Sequence, residues 1–322
     1  VKNRYRFVPL VFLAGFCLLM AAGCSTLGGG EIDRVGMLVE NSIHDQTWGN
    51  KGYQGLLKIK EEYDVDVYFK EGIQTQQDVN RAVEEFSNQG INLIFGHSSN
   101  YGKMFDEINE AYPDIHFVYF NGGYTGDNLT SVNFNSHAMG FFSGMVAGKM
   151  TSTNNVGLIG AFEWQPEIEG FYEGVNYQNP DASVHMNFVN SWDDSDRALD
   201  LLDQMSADDV DVFYPTGDQF SVQVINKVKE KGLYAIGYVT DQASLGKNTV
   251  LTSTVQHVDD IYLQTAEAFN EGELTGDVMT YDFQDGGITM GKFSPEVPES
   301  FVKEIQEAID EYKDTGLLPN EQ

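Results

Sequence analysis

The sequence predicts an α/β protein of two similar, doubly wound lobes joined by a hinge of several strands. Three observations carry that reading. The chain has 322 residues, enough for two core-forming units at ~100–200 residues each. Beyond residue 30, short apolar β-branched runs alternate with longer helical stretches, the pattern of βαβ units around a parallel sheet. The same order of segments then recurs at an offset of about 120 residues.

The first thirty residues stand apart from that pattern. Lys2, Arg4 and Arg6 precede an apolar run from Val8 to Met20, and Ala21-Ala22-Gly23 lead into Cys24. The run is short for a membrane span, which needs ~20 residues. Small residues followed by cysteine resemble a bacterial lipoprotein signal, which implies cleavage before Cys24 and acylation of its sulfur. Residues 1–23 are therefore expected to be a signal peptide. Residues 24–31, rich in Gly and Ser, read as a flexible tether. The remainder is expected to be outside the cytoplasm, held to the cell membrane by lipid. Both cysteines, Cys17 and Cys24, lie in this leader, so no disulfide is expected in the folded part.

In the first half, strands are expected at Arg34–Val39, Val65–Phe69, Ile91–Phe95 and His116–Phe120, with helices at Trp48–Tyr63, Gln76–Gln89 and Tyr101–Ala111 between them. The second half repeats the order. Val35-Gly36-Met37-Leu38 returns as Val156-Gly157-Leu158-Ile159, Gly52–Gly55 as Gly170–Gly174, Asn80–Val83 as Asp196–Leu199, Ile91–Phe95 as Val210–Tyr214, and His116–Phe120 as Leu233–Gly237. Shared α/β habit explains the periodicity but not the common spacing. Val250–Val255 and Asp259–Phe269 read as a strand and helix crossing back to complete the first lobe, and Val302–Tyr312 as a final helix. The expected division is 32–132 with 253–288 for one lobe and 133–252 with 289–316 for the other.

Composition narrows the function. The chain carries 19 Lys+Arg against 49 Asp+Glu, a formal charge of −30. Nucleic-acid binding draws most of its affinity from Lys and Arg on phosphates, so direct contact with DNA or RNA is excluded. With 41% apolar and 12% aromatic residues, the chain buries too much surface to stay disordered. Catalytic signatures are absent: no His-Glu-x-x-His, no Gly-x-Ser-x-Gly, no P-loop. Asp193, Asp194 and Asp196 lack the spacing of a calcium loop and read as a helix start. Neither a metal nor a cofactor is expected, and binding is favoured over turnover.

Ligands of open parallel sheets sit beyond the carboxyl ends of the strands. The residues expected there are Asp45, Trp48, His97 and Asn121 from the first lobe, and Trp164, Trp192, Asp218 and Asp241 from the second. All three tryptophans fall on this edge, which favours stacking faces for a ring-shaped ligand over caps on the cores.

Several of these segments resemble a known family. Val35–Val39, Asp45-Gln46-Thr47-Trp48 and Gly52–Leu56 look like the opening of the basic-membrane-protein (PnrA-like) lipoproteins. Val132-Asn133-Phe134, Phe141–Gly148 and Val250–Ser253 match further segments, so the resemblance spans residues 32–316. It implies a type I periplasmic-binding-protein fold, service as the solute receptor of an ABC importer, and a nucleoside-like small-molecule ligand. A permease or a membrane signalling protein would be the partner. Carried over residue by residue, it leaves Asp45 in place and puts the base-stacking aromatic at Trp48. Three polar positions of the family become Gly49, Val239 and Gln256. Each lost charged or bidentate hydrogen bond costs ~1.5–3 kcal/mol, so ordinary nucleoside affinity is expected to fall.

Overall fold

The structure is a computed structural model and describes residues 30–44 and 47–322. The leader with Cys24, and Asp45, lie outside the described residues. In the first lobe the chain runs β1 (Arg34–Leu38), α1 (Trp48–Tyr63), β2 (Asp66–Lys70), α2 (Gln76–Asn88), β3 (Leu93–Gly96), α3 (Tyr101–Asp106), β4 (His116–Phe120) and β5 (Leu129–Phe134). After α4 (Ser136–Met150) the order returns as β6 (Asn155–Gly160), α5 (Pro166–Gln178), β7 (Ser183–Phe188), α6 (Ser195–Ala207), β8 (Val212–Thr216), α7 (Asp218–Lys231), β9 (Tyr234–Gly237) and β10 (Val250–Gln256). The chain closes with α8 (Val258–Asn270), β11 (Val278–Tyr281), β12 (Ile288–Met290) and α9 (Glu299–Thr315).

Local chemistry sets these elements. The strands β1, β3 and β4 are apolar runs buried on both faces, as a sheet covered by helices on each side requires. The Thr75 hydroxyl accepts the Asp78 amide to start α2, and Asp194 accepts the Arg197 amide to start α6, confirming its role at a helix start. Gly232, in the left-handed conformation, ends α7.

The first sheet has the order β2-β1-β3-β4-β5-β11 and the second β7-β6-β8-β9-β10-β12. All pairings are parallel except that of β12 with β10. Each of the first five strands of the second sheet begins 117 to 121 residues after its counterpart in the first, so the repeat read in the sequence is a repeat of topology.

One expectation is corrected. The strand at 250–256 does not complete the first lobe: it pairs in parallel with β9 and belongs to the second sheet. The crossing occurs one element later, and it is reciprocal. Helix α4 follows the fifth strand of the first sheet but packs against α5, whereas α8 follows the fifth strand of the second sheet and packs against α1. Short β11 and β12 then join the first and second sheets in turn. The expected helix at 101–111 is likewise shorter, ending at Asp106 with a separate 3₁₀ turn at Asn109–Ala111.

Helix α4 is buried almost all round. Its glycines let two backbones touch: a Cβ on Gly140 would lie 2.1 Å from the Glu167 carbonyl oxygen, one on Gly170 2.0 Å from that of His137, and one on Gly174 1.9 Å from that of Phe141. This contact fixes the start of α5 at the carboxyl edge of the second sheet. Among the described residues, no helix is long and apolar enough to cross a membrane.

Candidate functional site

The carboxyl ends of the two sheets enclose a cavity of about 330 Å³. The first lobe contributes the segments after β1, β3, β4 and β5, and the second those after β6, β7, β8, β9 and β10. At the rim, the Asn41 amide donates to Asp193 Oδ2 at 3.0 Å and ties one lobe to the other.

Of the eight binding residues expected from the sequence, Trp48, His97, Asn121, Trp164, Trp192 and Asp218 line this cavity. Asp45 lies outside the described residues. Asp241 is exposed and does not line the cavity; its carboxylate accepts the Ala243 amide at 3.2 Å and the Lys292 amide at 3.5 Å. The cause is a tight turn after β9. The Thr240 amide donates to the Tyr238 carbonyl at 2.7 Å, with Val239 at φ +64° between them. A positive φ is costly for a β-branched residue, because the branched side chain crowds the backbone.

Trp48 is held from several sides. Its ring stacks on His97 at 4.7 Å and 16°, meets Phe120 and Phe134 edge-on, and its Nε1 donates to the His97 carbonyl at 3.1 Å. His97 itself is 3% exposed. Its Nε2 lies 2.7 Å from the Trp48 carbonyl and its Nδ1 2.9 Å from the Tyr262 hydroxyl. A carbonyl only accepts, so the neutral tautomer protonated on Nε2 satisfies both contacts. His97 is thereby a backing plate for the indole.

The second lobe offers a more open aromatic surface. Trp164 is 61% exposed. It stacks on Phe162 at 5.5 Å, and Trp192 meets both rings edge-on at 5.3 and 5.9 Å.

Beneath that surface lies a group missed in the sequence. Glu167, in the first turn of α5, is 3% exposed and lines the cavity. Its Oε1 accepts from the Tyr238 hydroxyl and from Gln165 Nε2, both at 2.9 Å. Burial raises the Glu167 pKa against the pull of these hydrogen bonds. A usable signal was present: Pro166 followed by an acid marks a helix start directly after a strand end. Gly49, Val239 and Gln256, the three positions altered relative to the resembled family, all line the cavity. Gln256 Nε2 reaches Ser136 Oγ at 3.3 Å. No cluster of three or more potential metal ligands occurs among the described residues.

Comparison with known proteins fits this geometry. The family described as ABC transporter substrate-binding protein PnrA-like matches residues 32–322. The transcriptional activator protein med of Bacillus subtilis is 49% identical over 303 residues, covering 94% of this chain and 96% of that one. A purine-binding protein of Brucella abortus is 25% identical over 258 residues, covering 79% and 73%. The crystal structure of a transcriptional activator of the comK gene from Bacillus halodurans superposes with a TM-score of 0.83 at 46% identity, covering 89% of this chain and 99% of that one. Solved solute-binding proteins at 20% identity and below share the fold alone.

Proposed function

Because the chain belongs to the PnrA-like family of ABC transporter substrate-binding proteins and has its type I periplasmic-binding-protein fold, we propose that it binds a small nucleoside-like ligand between its lobes. In this reading it is a lipid-anchored protein of the extracytoplasmic face, attached through Cys24, and it binds without turnover. Its output is indirect positive regulation, in competence control. The ligand closes the lobes, and the closed form is read by a membrane partner.

The observation that carries the binding reading is the cavity itself: aromatic faces from both lobes, Trp48 and Trp164, around a few polar groups. The similarity to med supports a regulatory output. A charge of −30 argues that any effect on transcription passes through another protein rather than through DNA. The family's description and the purine-binding relative favour one second reading, the substrate receptor of an ABC nucleoside importer.

Tryptophan fluorescence during titration with purine and pyrimidine nucleosides tests the binding reading. A saturable change that is weakened by Trp164→Ala supports it, and a flat response to all nucleosides, including those with a charged ring, overturns it. Uptake of labelled nucleoside by cells with and without the gene separates the outputs, since only the importer reading requires uptake to fall.

A further inference from the structure

We infer that the cleft is built for a flat ligand carrying a positive charge. The inference rests on the binding reading above and specifies its ligand. Among the described residues, three carboxylates line the cavity, Glu40, Glu167 and Asp218, and no Lys or Arg does. The aromatic faces beside them carry negative π density and attract cations. A net charge of −30 extends the same field into solvent, where it concentrates cations at the cleft and repels anions.

Glu167 is the deciding group. It is 3% exposed, yet its two side-chain donors, Tyr238 Oη and Gln165 Nε2, both end on Oε1 and are both neutral. A buried carboxylate without a cation is expensive and is pushed toward its neutral form, so a cation arriving in this dry site favours ionisation of Glu167 and is then held strongly. The charge sought is organic. The lining acids come from separate strand ends, and no metal-binding cluster is present among the described residues. A protonated or alkylated nitrogen heterocycle meets both demands: its ring stacks between tryptophans while its charge faces Glu167 and Asp218.

The test uses matched pairs. The purified protein is titrated at about pH 6 with adenosine and 1-methyladenosine, with guanosine and 7-methylguanosine, and with AMP. Both methylated nucleosides carry a ring cation under these conditions. At least one cation is expected to bind about tenfold tighter than its parent, with AMP weakest of all. That preference should shrink with added salt, and should shrink in E167Q and in D218N, whose folding is checked by thermal melting. Parents that bind as tightly as both cations overturn the charge inference while leaving the binding reading intact. A flat response to all five compounds overturns both.

Discussion

The two lobes solve the same packing problem with different chemistry. In each, the helix after the first strand packs against a helix that follows the fifth strand of the other sheet: α1 with α8, and α5 with α4. The first pair is joined by side chains. Lys51 and Lys58 hold Asp259 at 2.8 and 2.6 Å, and Gly55 makes room for the Tyr262 side chain. The second pair is joined backbone to backbone through Gly140, Gly170 and Gly174. The Lys–Asp contacts can yield by rotation, whereas Gly55 against Tyr262 Cβ and the glycine seam of the second pair cannot. The seam, with its closer backbone approach, fixes the start of α5, and with it Glu167.

Alanine substitution breaks this comparison most sharply. Gly140→Ala and Gly174→Ala drive a methyl group into a carbonyl oxygen and are expected to cost ~3 kcal/mol or more. Gly55→Ala meets Tyr262 Cβ and Cγ at 2.6 Å, a longer approach than the 1.9–2.1 Å of the seam but one that rotation cannot relieve, and should fall toward the upper part of the ~1–3 kcal/mol range for overpacking. Urea midpoints measure both. Equal costs at the three sites would refute the distinction.

The lobes should also respond to pH with opposite signs. In the first, His116 is buried on β4 and lies 2.8 Å from Thr130 Oγ1, which itself donates to the Thr275 carbonyl. Burial lowers its pKa from 6.5 to about 4. A depressed folded value means stability that is whole above pH 6.5 and is withdrawn as pH falls toward 4, on the order of 3 kcal/mol in all. In the second lobe, burial raises the Glu167 pKa above 4.5, so its contribution is whole below that value and is lost as pH rises. His116→Phe should flatten the acid limb, and Glu167→Gln should raise stability at neutral pH. A stability–pH curve unchanged in both variants would contradict the assignment.

The aromatic walls give a smaller contrast. Trp48 is braced by His97, Phe120 and Phe134, whereas Trp164 is 61% exposed. Trp48→Ala should cost ~2 kcal/mol of stability, below the ~3–5 of a fully buried Trp, and Trp164→Ala only ~0.5. Both should weaken ligand binding. Thermal melting beside a titration separates the two effects, and equal destabilisation would remove the contrast between a braced wall and an open one.

Much of this was legible in the sequence because periodic burial writes itself into residue type. The strand His116–Phe120 and the helix Trp48–Tyr63 have the bounds expected, and the offset between lobes follows from repeated strands. Strands β2 and β7 lie at sheet edges and are partly exposed, so their pattern is weaker; β7 went unread although its counterpart was found. The fate of strand 250–256 depended on pairing, which local pattern does not encode. In the site, the tryptophans were legible because a large ring at a strand end has few other uses. Glu167 was not, since an acid beginning a helix is usually solvated, and this one is buried by the glycine seam at its backbone and by Tyr238 and Gln165 at its carboxylate. Asp241 was misplaced for a related reason: a turn geometry forced on Val239 is invisible in residue type.

That turn supplies the finest comparison. By the offset between β4 and β9, Val239 corresponds to Asn121, and both have a positive φ, +64° and +61°. Both follow the fourth strand of their sheet and line the cavity. Asn121 sits at a φ that asparagine adopts readily, whereas Val239 is the centre of a three-residue turn closed by the Thr240 amide on the Tyr238 carbonyl, strained most for a β-branched residue, and such strain costs of order 1–3 kcal/mol. The first lobe thus makes its turn at ease and the second makes it under strain, where the apolar side chain displaces a polar one from the cleft. Val239→Asn is expected to stabilise the fold by ~1 kcal/mol, the low end because a 1% exposed side chain loses some packing. Asn121→Val should do the reverse by a similar amount. If strain is the difference between the turns, the two changes have opposite signs; a Val239→Asn variant less stable than its parent would mean that the packing of Val239 outweighs its backbone.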